Sequence, residues 1–158
     1  MNDELNLPWS GPYSWPDYEA TNGLPVLPTF PGVYLWTAKY ESGYLIYCAG
    51  ITGRPFRKRF EEHTECYLAG CYTVLDIAAL QQGQRCEVWH GWGYARSHRE
   101  QFAERQSEIV AAAKLQMAAF ACSWRMSSTG GFASGSRRQS CTASMPHRRR
   151  CATYPTAA

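Results

Sequence analysis

At 158 residues, with 45% hydrophobic and 14% aromatic side chains, the chain has the material for one hydrophobic core. No apolar run approaches the roughly 18 residues of a membrane span, and Met1-Asn2-Asp3-Glu4 is acidic where a secretory leader is basic, so a cytoplasmic location is expected. The net charge of +3 misleads: residues 1–120 hold ten Lys/Arg against all thirteen Asp/Glu, whereas residues 121–158 hold six Arg and no acid, so the global balance does not argue for nucleic-acid binding. The seven cysteines have no paired spacing, and without an export signal they read as reduced thiols.

Residues 1–30 are dense in Pro, Trp and Tyr. Proline at this density opposes a regular helix, and Trp and Tyr are rarely left in water, so an irregular arm laid over the domain is expected. Residues 31–120 form the domain proper. Two β-rich runs, 32–40 and 44–51, flank the turn Glu41-Ser42-Gly43 and predict a hairpin. On the first strand Tyr34 and Trp36 share a face. On the second, strict alternation sets Tyr47 opposite to Cys48 and Gly50, and only a bulge would bring Tyr47 round.

Gly50 and Gly53 permit a close turn, and Pro55 suits the first position of the helix that follows. At 100° per residue, Phe56, Phe60, His63 and Tyr67 make one stripe with Arg59 at its edge. Arg54, Arg57, Lys58 and Arg59 place four cations in six residues. Further on, 73–83 reads as an extended piece and a short helical turn, and 85–92 alternates like a third strand. A long helix is expected from Ser97, its N-cap, to Phe120, with a stripe through Phe102, Ile109, Val110, Ala113, Met117 and Phe120. The fold class is α/β (α+β): a small three-stranded, mostly antiparallel sheet flanked by helices.

From residue 121 the composition changes to Arg, Ser, Cys, Ala and Pro, without acids or periodicity. Disordered basic tails seldom carry Trp, Phe, Tyr and several Cys. Residues 121–158 therefore read as a disordered tail translated out of frame after the loss of one base just after Phe120.

Gly32-Val33-Tyr34, the degenerate second motif Tyr47-Cys48-Ala49-Gly50, and the Arg59-to-His63 spacing on the next helix together resemble the GIY-YIG nuclease domain. The resemblance implies hydrolysis of DNA phosphodiesters with one divalent cation, Mg²⁺, held by a single glutamate. It assigns Tyr34 and Tyr47 to general base and water positioning, Arg59 to charge stabilisation, and His63 to orienting Tyr34 or the leaving oxygen. Arg54, Arg57 and Lys58 would contact phosphates, and Gly32 and Gly50 would be structural. Tyr47 with a bulge, rather than Cys48, is taken as the second tyrosine, since a thiol cannot supply the phenol. With one base restored and permissive codon choices, the tail can be read with an RxRLEAAI run that resembles the family's metal-binding glutamate helix; the apolar positions follow largely from the sequence, whereas the acids depend on the chosen bases. The chain as it stands would lack that ligand and be inactive or impaired. Glu104 and Glu108 are the carboxylates closest in type and setting, but helical acids are usually surface groups paired with neighbours such as Arg105 or Lys114.

Two other classes are consistent with the residues. A non-catalytic nucleic-acid- or protein-binding module would bind without cleaving. A zinc module could draw on His63, Cys66, Cys71, Cys86 and His90, although these match no paired-cysteine spacing.

Overall fold

In the computed structural model, residues 8–125 are described. In chain order the elements are β1 (Ser10–Ser14), α1 (Glu19–Asn22), β2 (Gly32–Tyr40), β3 (Gly43–Thr52), α2 (Phe56–Leu68), β4 (Val74–Leu75), α3 (Ile77–Gln81), β5 (Glu87–Trp89), α4 (Trp92–Ser97), α5 (Arg99–Glu104), α6 (Gln106–Ala119) and β6 (Phe120–Arg125). Mixed helix and strand is thus the observed class. Among the described residues no helix is long and apolar enough to cross a membrane.

The hairpin forms where the alternation places it. Tyr40 pairs with Gly43, leaving Glu41 and Ser42 as the connection, with Glu41 at a φ of 49°. Its second strand is extended by one residue at each end. Pro55 is the N-cap of α2 rather than its first residue, with an extended backbone that its ring favours. The buried residues of α2 are Phe56, Phe60, His63 and Tyr67, the stripe that helical periodicity gives.

The main sheet has four strands, not three, in the order β1-β6-β2-β3, all antiparallel. Its extra strands come from the two segments set outside the domain. The arm is not irregular throughout: Ser10–Ser14 forms an edge strand, where a proline without an N–H is tolerated, and Trp15 is fully buried. The Trp15 ring meets Trp36 at 4.9 Å and Phe60 at 4.8 Å, and its Nε1 donates to Thr64 Oγ1 at 2.8 Å. Removing such a side chain costs about 3–5 kcal/mol, so the arm is part of the core.

The tail expectation fails for its first five residues. Ala121–Arg125 lies inside the sheet, paired to β1 on one side and β2 on the other, and Ala121 and Cys122 are buried. Only the expectation of disorder is corrected for β6, whose first three residues, Phe120, Ala121 and Cys122, are buried. The rest of that tail, 126–158, lies outside the described residues.

The expected third strand shortens to Glu87–Trp89 and pairs with β4 in a separate two-stranded ribbon. The long helix expected from Ser97 to Phe120 is divided into two, α5 and α6. Ser97 ends α4 instead of capping it, its Oγ donating back to the Gly93 and Tyr94 carbonyls, a use of the hydroxyl that competes with helix continuation. His98 and Arg105 depart from helical geometry, and the breaks let Phe102 turn in against Trp89, ring to ring at 5.5 Å. From Gln106 the stripe resumes, with Ile109, Ala113, Gln116 and Met117 buried. Gln116 is the buried amide that ties elements together: its oxygen accepts from Leu75 N at 2.7 Å and its nitrogen donates to Tyr67 Oη at 3.3 Å.

Cys48, Cys66, Cys71 and Cys122 are free, but Cys86 is disulfide-bonded, which corrects the expectation of reduced thiols throughout. Cys141 and Cys151 lie outside the described residues.

Candidate functional site

The hairpin and α2 bring one group of polar side chains together against the sheet. Tyr34 pairs with Gly50 and Trp36 with Cys48, but Thr37 pairs with Ile46, so the register slips by one residue and Tyr47 is left over as a bulge. At Gly50 any Cβ would overlap the ring and hydroxyl of Tyr34. Glycine is required there by close approach: the phenol of Tyr34 crosses β3 at a position with no side chain. It then meets α2, where its hydroxyl lies 3.0 Å from His63 Nε2. On the other side of the imidazole, His63 Nδ1 lies 3.1 Å from Tyr72 Oη. Tyr34, His63 and Tyr72 form a continuous hydrogen-bonded chain. Arg59, one helical turn before His63, also contacts Tyr34 and donates to Glu62 at 3.0 Å.

Burial and the cations around it set the electrostatics. Desolvation, then Arg59 and Arg54, lower His63 from its ordinary value to about 3, so the imidazole is neutral at neutral pH. A neutral imidazole donates from one nitrogen and accepts at the other, which suits a group held between two phenols. Burial, then Cys66, raises the Tyr72 phenol above its usual range, so that end of the chain stays protonated. Burial works against the charge of Arg59, but its bonds to Glu62 and Tyr34 outweigh it and raise the guanidinium further. Burial likewise opposes the Glu62 carboxylate, and the bonds from Arg59 and Arg54 outweigh it and hold the acid low.

Of the expected site residues, the fold thus assembles Tyr34, Arg59, His63 and Gly50. Gly32 opens β2 opposite Thr52. Tyr47 reaches the Trp36 face through the bulge, but it stacks on Trp36 at 6.5 Å, meets the Phe120 ring at a tilt at 5.1 Å and is hydrogen-bonded to Tyr67. Burial first raises its phenol. Cys48, the residue opposite Trp36, holds the place two before Gly50.

The three flanking cations are each matched by an acid. Arg54 forms a two-bond fork with Glu62, one bond of it 2.9 Å long. Arg57 pairs with Asp17 at 3.0 Å and with Glu61 at 3.5 Å, and Lys58 pairs with Glu61 at 3.6 Å. Sequence reading missed Glu62 and Tyr72. Glu62 had a visible signal, its position three after Arg59, but Tyr72 sits in the connection after α2, where no periodicity places it.

A divalent cation would need oxygen ligands, and the residues here do not fit one. The carboxylate bonded to this group of side chains, Glu62, is held by two guanidinium groups. The buried polar atom beside His63 with no hydrogen-bond partner is Trp36 Nε1, an N–H donor, which repels a cation. Among the described residues no three His, Cys, Asp or Glu side chains come together as a metal group. Glu108 pairs with Arg105 at 2.8 Å on the surface, and Glu104 is exposed at the end of α5. The zinc set is dispersed as well: His63 is engaged by two phenols, Cys86 is in a disulfide, and His90 pairs with Glu87 at 2.7 Å.

No family model, no curated protein and no solved structure matches the chain.

Proposed function

We propose that the chain is a GIY-YIG-type endonuclease domain that engages DNA phosphodiesters at Tyr34, Arg59 and His63 and is impaired in hydrolysis, because the carboxylate bonded to this group, Glu62, is held by two guanidinium groups and is not free to hold Mg²⁺. The observation that carries this reading is the meeting of Tyr34 and His63 over Gly50. The tyrosine of the first motif, the glycine of the second and the Arg and His of the following helix converge on one point. A solvated helix with an interfacial histidine has no need of that coincidence.

The chemistry available is phosphate binding and proton transfer. Arg59 presents a forked donor that a phosphate can take in exchange for Glu62. Tyr34, bonded to a neutral imidazole whose far nitrogen meets Tyr72, can pass a proton along the chain without a charge resting on His63. Without a metal site there is little to activate the attacking water, and no hydrolytic step is assigned.

A gel-shift and cleavage assay on labelled duplex and branched DNA, with and without Mg²⁺ and across a salt series, tests the reading. Salt-dependent binding is expected, with Arg59→Ala weakening it and lowering the salt slope by about one. Cleavage stimulated by Mg²⁺ should be absent. Lack of DNA binding would overturn the proposal, and Mg²⁺-dependent cleavage that Tyr34→Phe abolishes would overturn the impairment.

One observation favours a second reading, a non-catalytic nucleic-acid- or protein-binding module. Arg54, Arg57, Lys58 and Arg59 are all neutralised by Asp17, Glu61 and Glu62, as a surface matched to a partner of mixed charge would be. In that case binding is indifferent to Tyr34→Phe.

A further inference from the structure

A second site lies on the far side of Tyr72. A cavity of about 620 Å³ opens between the end of α2, the connection to β4, and helices α4 and α5, and its volume is in the range of sites that bury small molecules. Tyr72, Trp89, Trp92 and Phe102 give it an aromatic wall, and Arg96 and Arg99 stand at its edge. The Trp89 indole is already satisfied, donating to the Gly70 carbonyl at 2.7 Å. The two arginines differ from those around Tyr34 and His63. Whereas Arg54, Arg57 and Arg59 each have a carboxylate, neither Arg96 nor Arg99 is ion-paired among the described residues.

Trp92 is the unusual member of this wall. It is 65% exposed, and its φ of 61° is in the left-handed region, where a bulky side chain is strained. The backbone is held there from both sides. Trp92 N donates to the Cys71 carbonyl at 2.8 Å, Gly91 N donates to Thr73 Oγ1 at 3.1 Å, and a Cβ on Gly91 would collide with the backbone of Tyr72 and Thr73. The result is an indole held in solvent, 5.1 Å from the Tyr72 ring, at the mouth of the cavity. Burial of the indole does not offset this strain, so packing alone gives no reason for it.

We infer that this cavity binds a single unstacked nucleotide, with the base against Trp92 and Tyr72 and the phosphate on Arg96 and Arg99. An aromatic wall next to two uncompensated guanidinium groups matches a ligand with one π-face and one compact anionic group. A purely apolar ligand would leave the arginines unused, and a bare phosphate would leave the wall unused. The inference goes beyond the reading of the Tyr34–His63 group and does not depend on it, since it rests on this lining alone. The same chemistry has two sources, a free nucleotide or an unpaired nucleotide within a strand.

The test is calorimetric titration of the full chain with deoxyadenosine monophosphate, alongside deoxyadenosine and inorganic phosphate. Saturable binding of the monophosphate is expected, with each half-ligand at least about tenfold weaker, in keeping with stacking and ionic contributions of comparable size. Trp92→Gly and the double variant Arg96→Ala/Arg99→Ala should each weaken binding at least about fivefold, the lower end expected for losing one stacking platform. Thermal melting controls for folding. Trp92→Gly should keep or raise Tm, because glycine adopts this φ freely. Absence of saturable binding, or binding that neither variant weakens, would overturn the inference. Competition identifies the source: displacement of the monophosphate by single-stranded oligodeoxyadenylate, but not by a blunt duplex, supports an unpaired nucleotide in a strand. Failure of both DNAs to displace it supports a free nucleotide. Because the monophosphate reads the cavity alone, its outcome is independent of duplex binding at Arg59.

Discussion

Tyr34 and Gly50 stand opposite each other across the β2–β3 hairpin, and the phenol of Tyr34 fills the space that a side chain on Gly50 would need. This pairing carries the site. It lets the Tyr34 hydroxyl cross the second strand and reach His63, 29 residues away in sequence. The glycine acts by leaving room for another residue's functional group.

Gly50→Ala should therefore disturb Tyr34 more than β3. The added methyl overpacks a buried contact, which typically costs about 1–3 kcal/mol. Urea denaturation should show that loss. Histidine NMR should show a change in the His63 ring chemical shifts as the Tyr34 bond is released. Unchanged stability with an unchanged His63 signal would mean that the hydroxyl does not occupy the space over Gly50.

His63 makes stability depend on pH, with a definite sign. Its folded pKa is about 3, held down by burial and by Arg59 and Arg54, and the unfolded value is near 6.5. Below the unfolded value the unfolded chain binds the proton and the folded chain does not. The stability contribution is thus intact above about pH 7 and is lost as pH falls from about 6.5 towards 3. Between pH 7 and pH 5 the loss from this group is about 2 kcal/mol. Denaturation curves at the two pH values should show it, and His63→Gln should flatten the dependence. Equal slopes in both proteins would assign the effect to other groups.

Cys122→Asp tests whether β6 belongs to the folded domain. Cys122 is fully buried between β1 and β2, and burial raises its thiol above the usual range. A carboxylate there would be buried without a charged partner, a change that costs several kcal/mol and exceeds the margin of many small domains. Loss of the cooperative unfolding transition is expected. A variant as stable as the parent would place this segment outside the sheet.

Much of the hairpin and of α2 was legible in the sequence because the signals there are local. Alternation in 32–40 and 44–51 sets the faces, the Phe56-Phe60-His63-Tyr67 stripe sets which side of α2 is buried, and the unpaired Tyr47 marks a slip in register that period-two counting exposes. The pairing of Arg105 with Glu108 is local as well. Less legible were the helix breaks, because Ser97 and Arg105 act through bonds to carbonyls and neighbours that intrinsic propensity does not weigh.

By itself, then, the sequence determined that a β-hairpin and an amphipathic helix come together with Tyr34, Arg59 and His63 on their facing sides. Only the tertiary structure decided that Ser10–Ser14 and Phe120–Arg125 complete the sheet, that Tyr72 closes the chain from Tyr34 through His63, and that Glu62 holds Arg54 and Arg59 together. The physical reason is the range of the interactions. A helical stripe or a strand's alternation is set by a repeat a few residues long. The bond from Thr37 Oγ1 to the Ala121 carbonyl, by contrast, spans 84 residues and exists only because the whole chain has folded around it.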